Sequence, residues 1–447
     1  MARSPRMSRR SWLQQTAAVG LAAPAFIENL RAAPPSEQVR HASFGADGMA
    51  GADWSAIVRH PKVRFTAVAE VDSSRLARLK KHDVDGRVKV YRDWRAMLDK
   101  EAKNLDTVNV STPDHSHAPQ AMSAMNAGLH VYGQKPLAHD VYECRRLAEV
   151  AREKKLVTQM GIQVHSSEQY RSAVELVRGG AIGKVREVHT WSNKKWGDAA
   201  PLPDRRDPVP ETLAWDVWLG GADERPFIGG GYYHPGNWRK RLDFGTGTFG
   251  DMGCHIYDPV FKALALTAPL SVRSSGPTPS ATNWANDAVV HYVFPGTPYS
   301  AGSTVSVTWY DGDRRPPDEI VAQIGSTPLP GQGSIFLGTD GVMVLPHVAA
   351  PILLPEAKFK DFARPKLAPV DHWAQFIDAV RGEGRTSAGF DYSGPLTEAI
   401  LLGGIASRFP ETTLEWDAGA LRFRNHPEAD RLVRRTYRKG WEVPGLA

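Results

Sequence analysis

Between Val39 and about Gly161, short apolar runs alternate with longer amphipathic stretches, the rhythm of parallel strands joined by crossover helices. This pattern predicts strands at Arg40–Phe44, Arg64–Glu70, Val88–Tyr91, Thr107–Val110, His130–Tyr132 and Val157–Met160. Helices are predicted at Met49–His60, Ser73–His82, Trp94–Lys100, Ala118–Ala127 and Val141–Lys154. Asp93 suits a helix N-cap and Gly128 the left-handed residue that closes one. The first strand is unusually polar for a buried one.

After Gly161 the texture changes. Longer strand patterns appear at Val185–Ser192, Val289–Phe294, Thr304–Tyr310, Ile320–Ile324 and Ser334–Leu337, set between Gly/Pro-rich turns. Only Trp373–Arg381 and Leu396–Arg408 read as helices, so a mostly antiparallel sheet is expected here. Ala199–Pro210 reads as a long surface loop, and no internal repeat is present. The chain therefore divides into an α/β domain over 38–161 and an α+β domain over 162–447.

The length of 447 residues supports two cores. The net charge of +6 is concentrated at the start, where Arg3, Arg6, Arg9, Arg10 and Arg31 face one acid, Glu28. Beyond residue 33 the chain carries 50 basic and 48 acidic groups, which excludes a strong pull toward nucleic acid or anionic membrane. Residues 1–33 read as an address: Ser8-Arg9-Arg10-Ser11-Trp12-Leu13 resembles a twin-arginine export signal. The apolar run Ala17–Ile27 behind it is too short to span a bilayer, and the small residues Ala32 and Ala33 follow. A periplasmic or other extracytoplasmic protein is expected, with no membrane span in its mature part. Cys144 and Cys254 cannot form a disulfide framework and read as small buried apolar residues.

Candidate chemistry gathers at the ends of the strands. Gly45-Ala46-Asp47-Gly48-Met49-Ala50 approximates G-x-G-x-x-G/A, with Asp47 where the second glycine would let backbone approach a pyrophosphate. Glu70, at the end of the next strand, lies at the spacing of an acid that binds ribose hydroxyls, favouring NAD over NADP. Thr112, Pro113, His115 and His117 follow the fourth strand, where ligands collect in this architecture. His115 and His117 lack further ligands at metal spacing, so no metal site is expected. Gln134 and Lys135 follow the fifth strand, and a lysine there could hydrogen-bond a substrate hydroxyl. Asp251 and His255 fall one helical turn apart, with Asp258 a turn further, so Asp251 could orient His255 and raise its basicity as a general base. Asp258 before Pro259 also suits an N-cap for a new helix. Five of the thirteen tryptophans fall between residues 191 and 238. Of these, Trp191 and Trp238, with Asn193, Asn237 and Arg239, offer flat apolar faces and hydrogen bonds to a sugar.

The combination resembles the glucose–fructose oxidoreductase/inositol dehydrogenase (Gfo/Idh/MocA) family. Gln134-Lys135-Pro136 is similar to its E-K-P motif, and Asp251-x-x-x-His255 to its D-x-x-x-H motif. Thr112-Pro113-Asp114-His115, Met160-Gly161-Ile162-Gln163-Val164-His165, Glu415-Trp416-Asp417 and the tail Tyr437–Trp441 resemble its secreted bacterial branch. The resemblance implies a Rossmann domain plus a large open-sheet domain. It places Lys135 on the reacting hydroxyl, His255 as base with Asp251 as its partner, and Gln163 and His165 toward the substrate. It also implies bound NAD, held tightly in some members, a carbohydrate or polyol substrate, and a homo-oligomer. Asp47 and Gln134 depart from the family pattern. Three readings stay open at this point: an NAD-dependent sugar or polyol dehydrogenase, a redox-neutral glycosidase, epimerase or lyase with NAD recycled in place, and a non-catalytic carbohydrate binder.

Overall fold

The computed structural model describes residues 38–83 and 85–447, so the segment expected to be an export signal lies outside it. In the first domain the strands β1 (Val39–Phe44), β2 (Val63–Ala69), β3 (Lys89–Tyr91), β4 (Thr107–Val110), β5 (His130–Gly133) and β6 (Thr158–Met160) pair in parallel, in the order β3-β2-β1-β4-β5-β6. The crossover helices are α1 (Gly48–Ile57), α2 (Ala77–His82), α3 (Trp94–Glu101), α4 (Asp114–Asn126) and α5 (Val141–Glu153). This is a doubly wound Rossmann sheet, whose ligands bind beyond the carboxyl ends of its strands. Asp93 caps α3 through its side chain, and Gly128 is left-handed after α4. Helix α4 begins at Asp114 rather than Ala118, because Pro113 presets the turn and Asp114 puts an acid in the first turn. That earlier start draws His115 and His117 into the helix.

The polar character of β1 has a structural cause. One face of β1 and β4 carries a buried hydrogen-bond ladder. His41 Nδ1 meets Thr107 Oγ1 and its Nε2 meets Asn109 Oδ1, both at 2.9 Å. Asn109 Nδ2 donates to Ser111 Oγ at 2.9 Å, and Ser111 donates to Asp53 Oδ2 at 2.8 Å. Asp53 also accepts from Gln134 Nε2 at 2.9 Å and from Trp373 Nε1 at 3.0 Å. The strand affords polar side chains because each has a partner.

The second domain holds a nine-stranded sheet in the order β13-β12-β11-β7-β10-β9-β8-β14-β15. Its strands are β7 (Val185–Ser192), β8 (Ser271–Ser275), β9 (Val289–Pro295), β10 (Thr304–Asp311), β11 (Gln332–Gly338), β12 (Val342–Pro346), β13 (Ile352–Leu354), β14 (Thr413–Asp417) and β15 (Arg422–Phe423). Only β7 and β10 pair in parallel. Helices α6 (Glu168–Arg178), α7 (Gly247–Leu264), α8 (His372–Val380) and α9 (Phe390–Ala406) complete the domain. Helix α6, not expected from the pattern, is capped by Ser167 and buries Tyr170, Ala173, Val174, Leu176 and Val177. The segment expected as the strand Ile320–Ile324 is a helix over Asp318–Val321 continued by a 3₁₀ turn to Ile324. Ile320 and Ile324 lie about one helical turn apart, and both enter the core with Trp191 and Tyr310. Helix α7 runs unbroken through Pro259, so Asp258 is mid-helix and caps nothing.

The two domains share core. Phe376 and Ile377 of α8 pack with Ile57 and Tyr132 of the first domain. Near the C-terminus, Arg435 donates to Glu143 at 2.7 Å and to the carbonyl of His115 at 2.6 Å, strapping the tail to α5 and α4. Cys144 and Cys254 are free and buried. Ala199–Pro210 is an irregular, largely exposed loop.

The ladder has a pH signature. Burial pushes the His41 imidazole down to about 4 from 6.5. The unfolded chain therefore binds a proton near pH 6.5 that the folded chain refuses until about pH 4, and the stability contributed by neutral His41 is lost as pH falls through that window. At pH 5 the loss is about 2 kcal/mol. Buried acids such as Asp53, pushed up to about 6, act in the opposite sense, so the comparison with a variant isolates the effect. The destabilisation caused by His41→Gln, measured by urea unfolding, should be about 2 kcal/mol smaller at pH 5 than at pH 7.5. An equal cost at both pH values would show that His41 does not titrate with folding.

Candidate active site and cofactor cleft

Beyond the carboxyl ends of β1, β2 and β4 lies a cleft of about 1000 Å³, lined by Gly45, Asp47, Gly48, Met49, Glu70, Thr112 and Pro113. Gly45 is left-handed (φ +97°), and a Cβ there would lie 2.7 Å from the Ala50 methyl and 2.9 Å from the Ser111 carbonyl oxygen. That tight turn aims the N-terminus of α1, with its unsatisfied N–H groups, into the cleft. The Asp47 carboxylate is offset by Arg75, whose guanidinium lies 3.0 Å away. Glu70 accepts the backbone N–H of Ala46 at 2.9 Å and of Asp72 at 3.0 Å, so it braces the turn as well as lining the cleft. Burial raises its pKa against those two bonds. The turn, the helix end and the cleft fit the pyrophosphate and ribose of a dinucleotide.

Trp218, His234, Trp238 and Arg239 close this cleft from the second domain. His234 Nε2 meets Asp72 at 3.0 Å and holds the closure in place. Trp238 and Arg239, expected on the substrate, thus face the dinucleotide cleft, and Trp238 sits under the Arg239 guanidinium at 4.3 Å. Three residues expected to touch the cofactor support it from behind instead. His115 is buried between Trp218 and Phe244, bonds the Trp218 carbonyl at 2.9 Å, and is pushed down to about 3 by burial. His117 bridges the carbonyls of Thr112 and Pro136, both at 2.7 Å, tying the β4 loop to the β5 loop. Gln134 joins Asp53 to the backbone N–H of Lys135. Gly161 is required beside it, since a Cβ there would lie 2.5 Å from Gln134 Nε2.

Across the domain boundary the β5 loop meets α7. Lys135 Nζ donates to Asp251 Oδ1 at 2.7 Å and to the Asp251 carbonyl at 2.8 Å, and Arg239 Nε lies 3.3 Å from the same carboxylate oxygen. Although burial opposes ionisation of Asp251, Lys135 and Arg239 hold its carboxyl well below the usual range. The expected Asp251–His255 pair does not form. Lys135 and Arg239 both meet Asp251 Oδ1, so Asp251 is the partner of Lys135. His255, one turn along α7, has a buried Nδ1 without a partner among the described residues, and burial followed by the Lys135 charge holds its pKa well below 6.5. It is therefore a neutral imidazole, able to accept a proton without first losing one.

The remaining expected substrate residues separate. Gln163 follows β6 with a buried Oε1 that has no partner among the described residues. Asn193 is exposed at the end of β7. Asn237 donates to the Gly231 carbonyl at 2.8 Å. Trp191 is fully buried in the core on the sheet face away from α7 and cannot touch a ligand. His165 bonds Asp258 at 2.8 Å, and Asp258 accepts from Tyr392 at 2.7 Å, a buried group further along α7 that lines a different cavity with Arg171 and Lys262. Sequence reasoning missed His347, just after β12. Its ring centroid lies 6.0 Å from that of His255, and its Nδ1 is 2.6 Å from the Tyr170 hydroxyl. No motif marks it, because its proximity comes from strand order. Among the described residues no group of three His, Cys, Asp or Glu has metal-holding geometry, and no helix is long and apolar enough to cross a membrane.

Two family models match the chain. Residues 39–162 match the GFO_IDH_MocA oxidoreductase family's NAD-binding Rossmann fold, and residues 183–317 match its C-terminal alpha/beta domain. Among curated relatives, inositol 2-dehydrogenase of Salmonella typhimurium is 26% identical over 169 residues, 36% of this chain and 48% of that protein. Levoglucosan dehydrogenase of Pseudarthrobacter phenanthrenivorans is 29% identical over 93 residues, 21% of this chain and 23% of that protein. The match thus spans about half or less of these relatives. The WlbA dehydrogenase of Chromobacterium violaceum, solved with NADH and UDP-GlcNAcA, has a TM-score of 0.61 at 15% identity, covering 87% of this chain and 99% of that one. The aldose-aldose oxidoreductase of Caulobacter crescentus has a TM-score of 0.54 at 15% identity, covering 85% of this chain and 100% of that one. At these identities the solved structures show a shared fold.

The Asp47–Arg75 pair changes what substitution at the phosphate turn should do. Asp47 alone suggests that glycine there would strengthen NAD binding about tenfold, or ~1.4 kcal/mol. With Arg75 in contact, Asp47→Gly should change affinity less than about threefold, because the paired carboxylate already presents little net charge to the phosphates and the partly exposed guanidinium it releases is screened by solvent. Arg75→Ala should weaken NAD about tenfold by exposing the carboxylate, and the double variant should recover most of that loss. Calorimetric titration of the three variants reads this out. Additive effects of the two substitutions would mean that Arg75 does not screen Asp47.

Proposed function

The chain belongs to the Gfo/Idh/MocA oxidoreductase family, and we propose that it transfers hydride between a secondary carbinol of a sugar, glycoside or polyol and NAD. The observation that carries this reading is the Lys135–Asp251 ion pair beside the neutral His255. It sets a cation and a proton acceptor at the junction of the two domains, next to the cleft whose turn and helix end fit a dinucleotide. Gly45, Gly48, Glu70, Thr112 and Pro113 would hold the cofactor, which supplies the hydride acceptor when bound. Lys135 would donate a hydrogen bond to the substrate hydroxyl and stabilise the developing alkoxide, with Asp251 fixing its ammonium. His255 would take the hydroxyl proton as the carbon-bound hydrogen leaves as hydride, so that one proton and one hydride depart and a carbonyl remains. Trp218, Trp238 and Arg239, closing the cleft, would keep water from the reacting atoms.

Screening sugars, glycosides and polyols for NADH formation supplies the substrate. On it, His255→Ala should lower kcat roughly a hundredfold or more while NAD affinity stays within about threefold. Lys135→Ala should change KM and kcat together, since its contact forms in ground and transition states. Asp251→Asn should follow Lys135→Ala rather than His255→Ala. Near-full activity of all three variants, or product formed without net NADH, would overturn the reading.

Export and self-association belong to the same proposal. Arg9 and Arg10, outside the described residues, are the support for a twin-arginine route. Replacing both with lysine should abolish recovery of the protein from the periplasmic fraction, and unchanged recovery would exclude that route.

A further inference from the structure

We propose that His347, fixed by Tyr170, is a second hydroxyl-binding residue of the active site, which selects substrates carrying a hydroxyl next to the carbinol being oxidised. This rests on the dehydrogenase reading above and adds the residue that reads the hydroxyl neighbouring the reacting carbinol.

The geometry begins with Tyr170 on α6. Its hydroxyl lies 2.6 Å from His347 Nδ1. The phenol is the more acidic of these two neutral groups, so its proton is directed at His347 Nδ1. Nδ1 is then the acceptor, so the ring proton of neutral His347 sits on Nε2, and the ring presents a donor at its far edge. The backbone is anchored as well: the N–H of His347 donates to the Gln332 carbonyl at 3.0 Å, fixing the turn after β12 to the start of β11. Burial and the charges of Lys135 and Lys194 lower the His347 pKa, which keeps the ring neutral.

His347 and His255 are therefore two neutral imidazoles with ring centroids 6.0 Å apart, and the Lys135 charge reaches both. Lys135 and His255 are occupied by the hydroxyl that reacts. A donor on the ring beside His255 is placed to meet the hydroxyl next to the one that reacts. Nothing in the hydride-transfer step uses His347. The side chain is half-buried, so an analogue lacking that hydroxyl would leave a partly desolvated N–H without an acceptor, which is how a polar site rejects a deoxy substrate.

The test compares the best diol from the screen with its analogue lacking the neighbouring hydroxyl. Wild type should prefer the diol by about thirtyfold or more in kcat/KM. His347→Ala should reduce that preference to within about threefold, by losing activity on the diol and little on the deoxy analogue. His347→Gln, which keeps a neutral N–H donor, should recover part of the preference, and Tyr170→Phe should fall between wild type and His347→Ala. NAD affinity and the melting temperature, measured for each variant, separate a binding effect from misfolding. Equal losses on both substrates, or an unchanged preference, would overturn the proposal. Failure of the dehydrogenase reading is distinguishable, because wild type would then form no NADH with any polyol. In that event, saturation-transfer NMR of the same diol and deoxy pair against wild type and His347→Gln still decides whether His347 reads the hydroxyl.

Discussion

The Lys135–Asp251 ion pair is the contact on which the site depends, because it joins a loop of the parallel sheet to a helix of the second domain. Both side chains are largely buried, with exposures of 13% and 15%, and a buried pair is stabilising only when the remaining capacity of each group is met. Here the Asp251 carbonyl takes a second Lys135 proton and Arg239 takes a share of the carboxylate. Removing one partner would strand the other charge, at a cost of about 3–5 kcal/mol for a buried pair. Burial keeps His255 neutral, and the Lys135 charge adds to that effect against the opposing pull of Asp251.

Behind Lys135, the first domain is built to hold its loop still. Gln134 links the Lys135 amide to Asp53, and Asp53 is the junction of donors from β4, β5 and α8. His117 ties the carbonyl of Pro136 back to Thr112, so the loops after β4 and β5 move as one. A catalytic ammonium must keep its position within a fraction of an ångström, and a satisfied polar network in a low dielectric provides that stiffness. The glutamine in place of the family's glutamate has a buried carboxylate at hand in Asp53.

The second domain covers the cofactor cleft as well as the substrate side. His234 and Asp72 join across the mouth, and the Trp238–Arg239 pair reaches from the cleft to the Asp251 carboxylate. Arg239 therefore couples cofactor closure to the Lys135–Asp251 pair, so the two halves of the site are assembled by the same segment.

Alternation of apolar and polar positions determined the parallel domain nearly strand by strand; the Gly45 turn, Glu70 and Lys135 stood out because the ends of such strands are where chemistry collects, and His255 by its one-turn spacing from Asp251. Local patterning also sufficed for β7, β9 and β10, which are rich in β-branched and aromatic residues. It failed at 320–324, where an apolar run reads equally as strand or helix until the core face it meets is known. It failed at Asp251, whose nearest residue in sequence terms was His255 but whose partner in space is Lys135, 116 positions away. His115, Trp191 and His165 carried plausible chemistry and are buried against neighbours that only the folded chain supplies. His347 carried no motif, yet stands beside His255. The difference is one of range. Periodicity and turn chemistry act over a few residues and are written in the sequence, whereas the partner of a charge, the tautomer of a histidine and the face a tryptophan meets depend on contacts between distant segments, which exist only once both domains have closed.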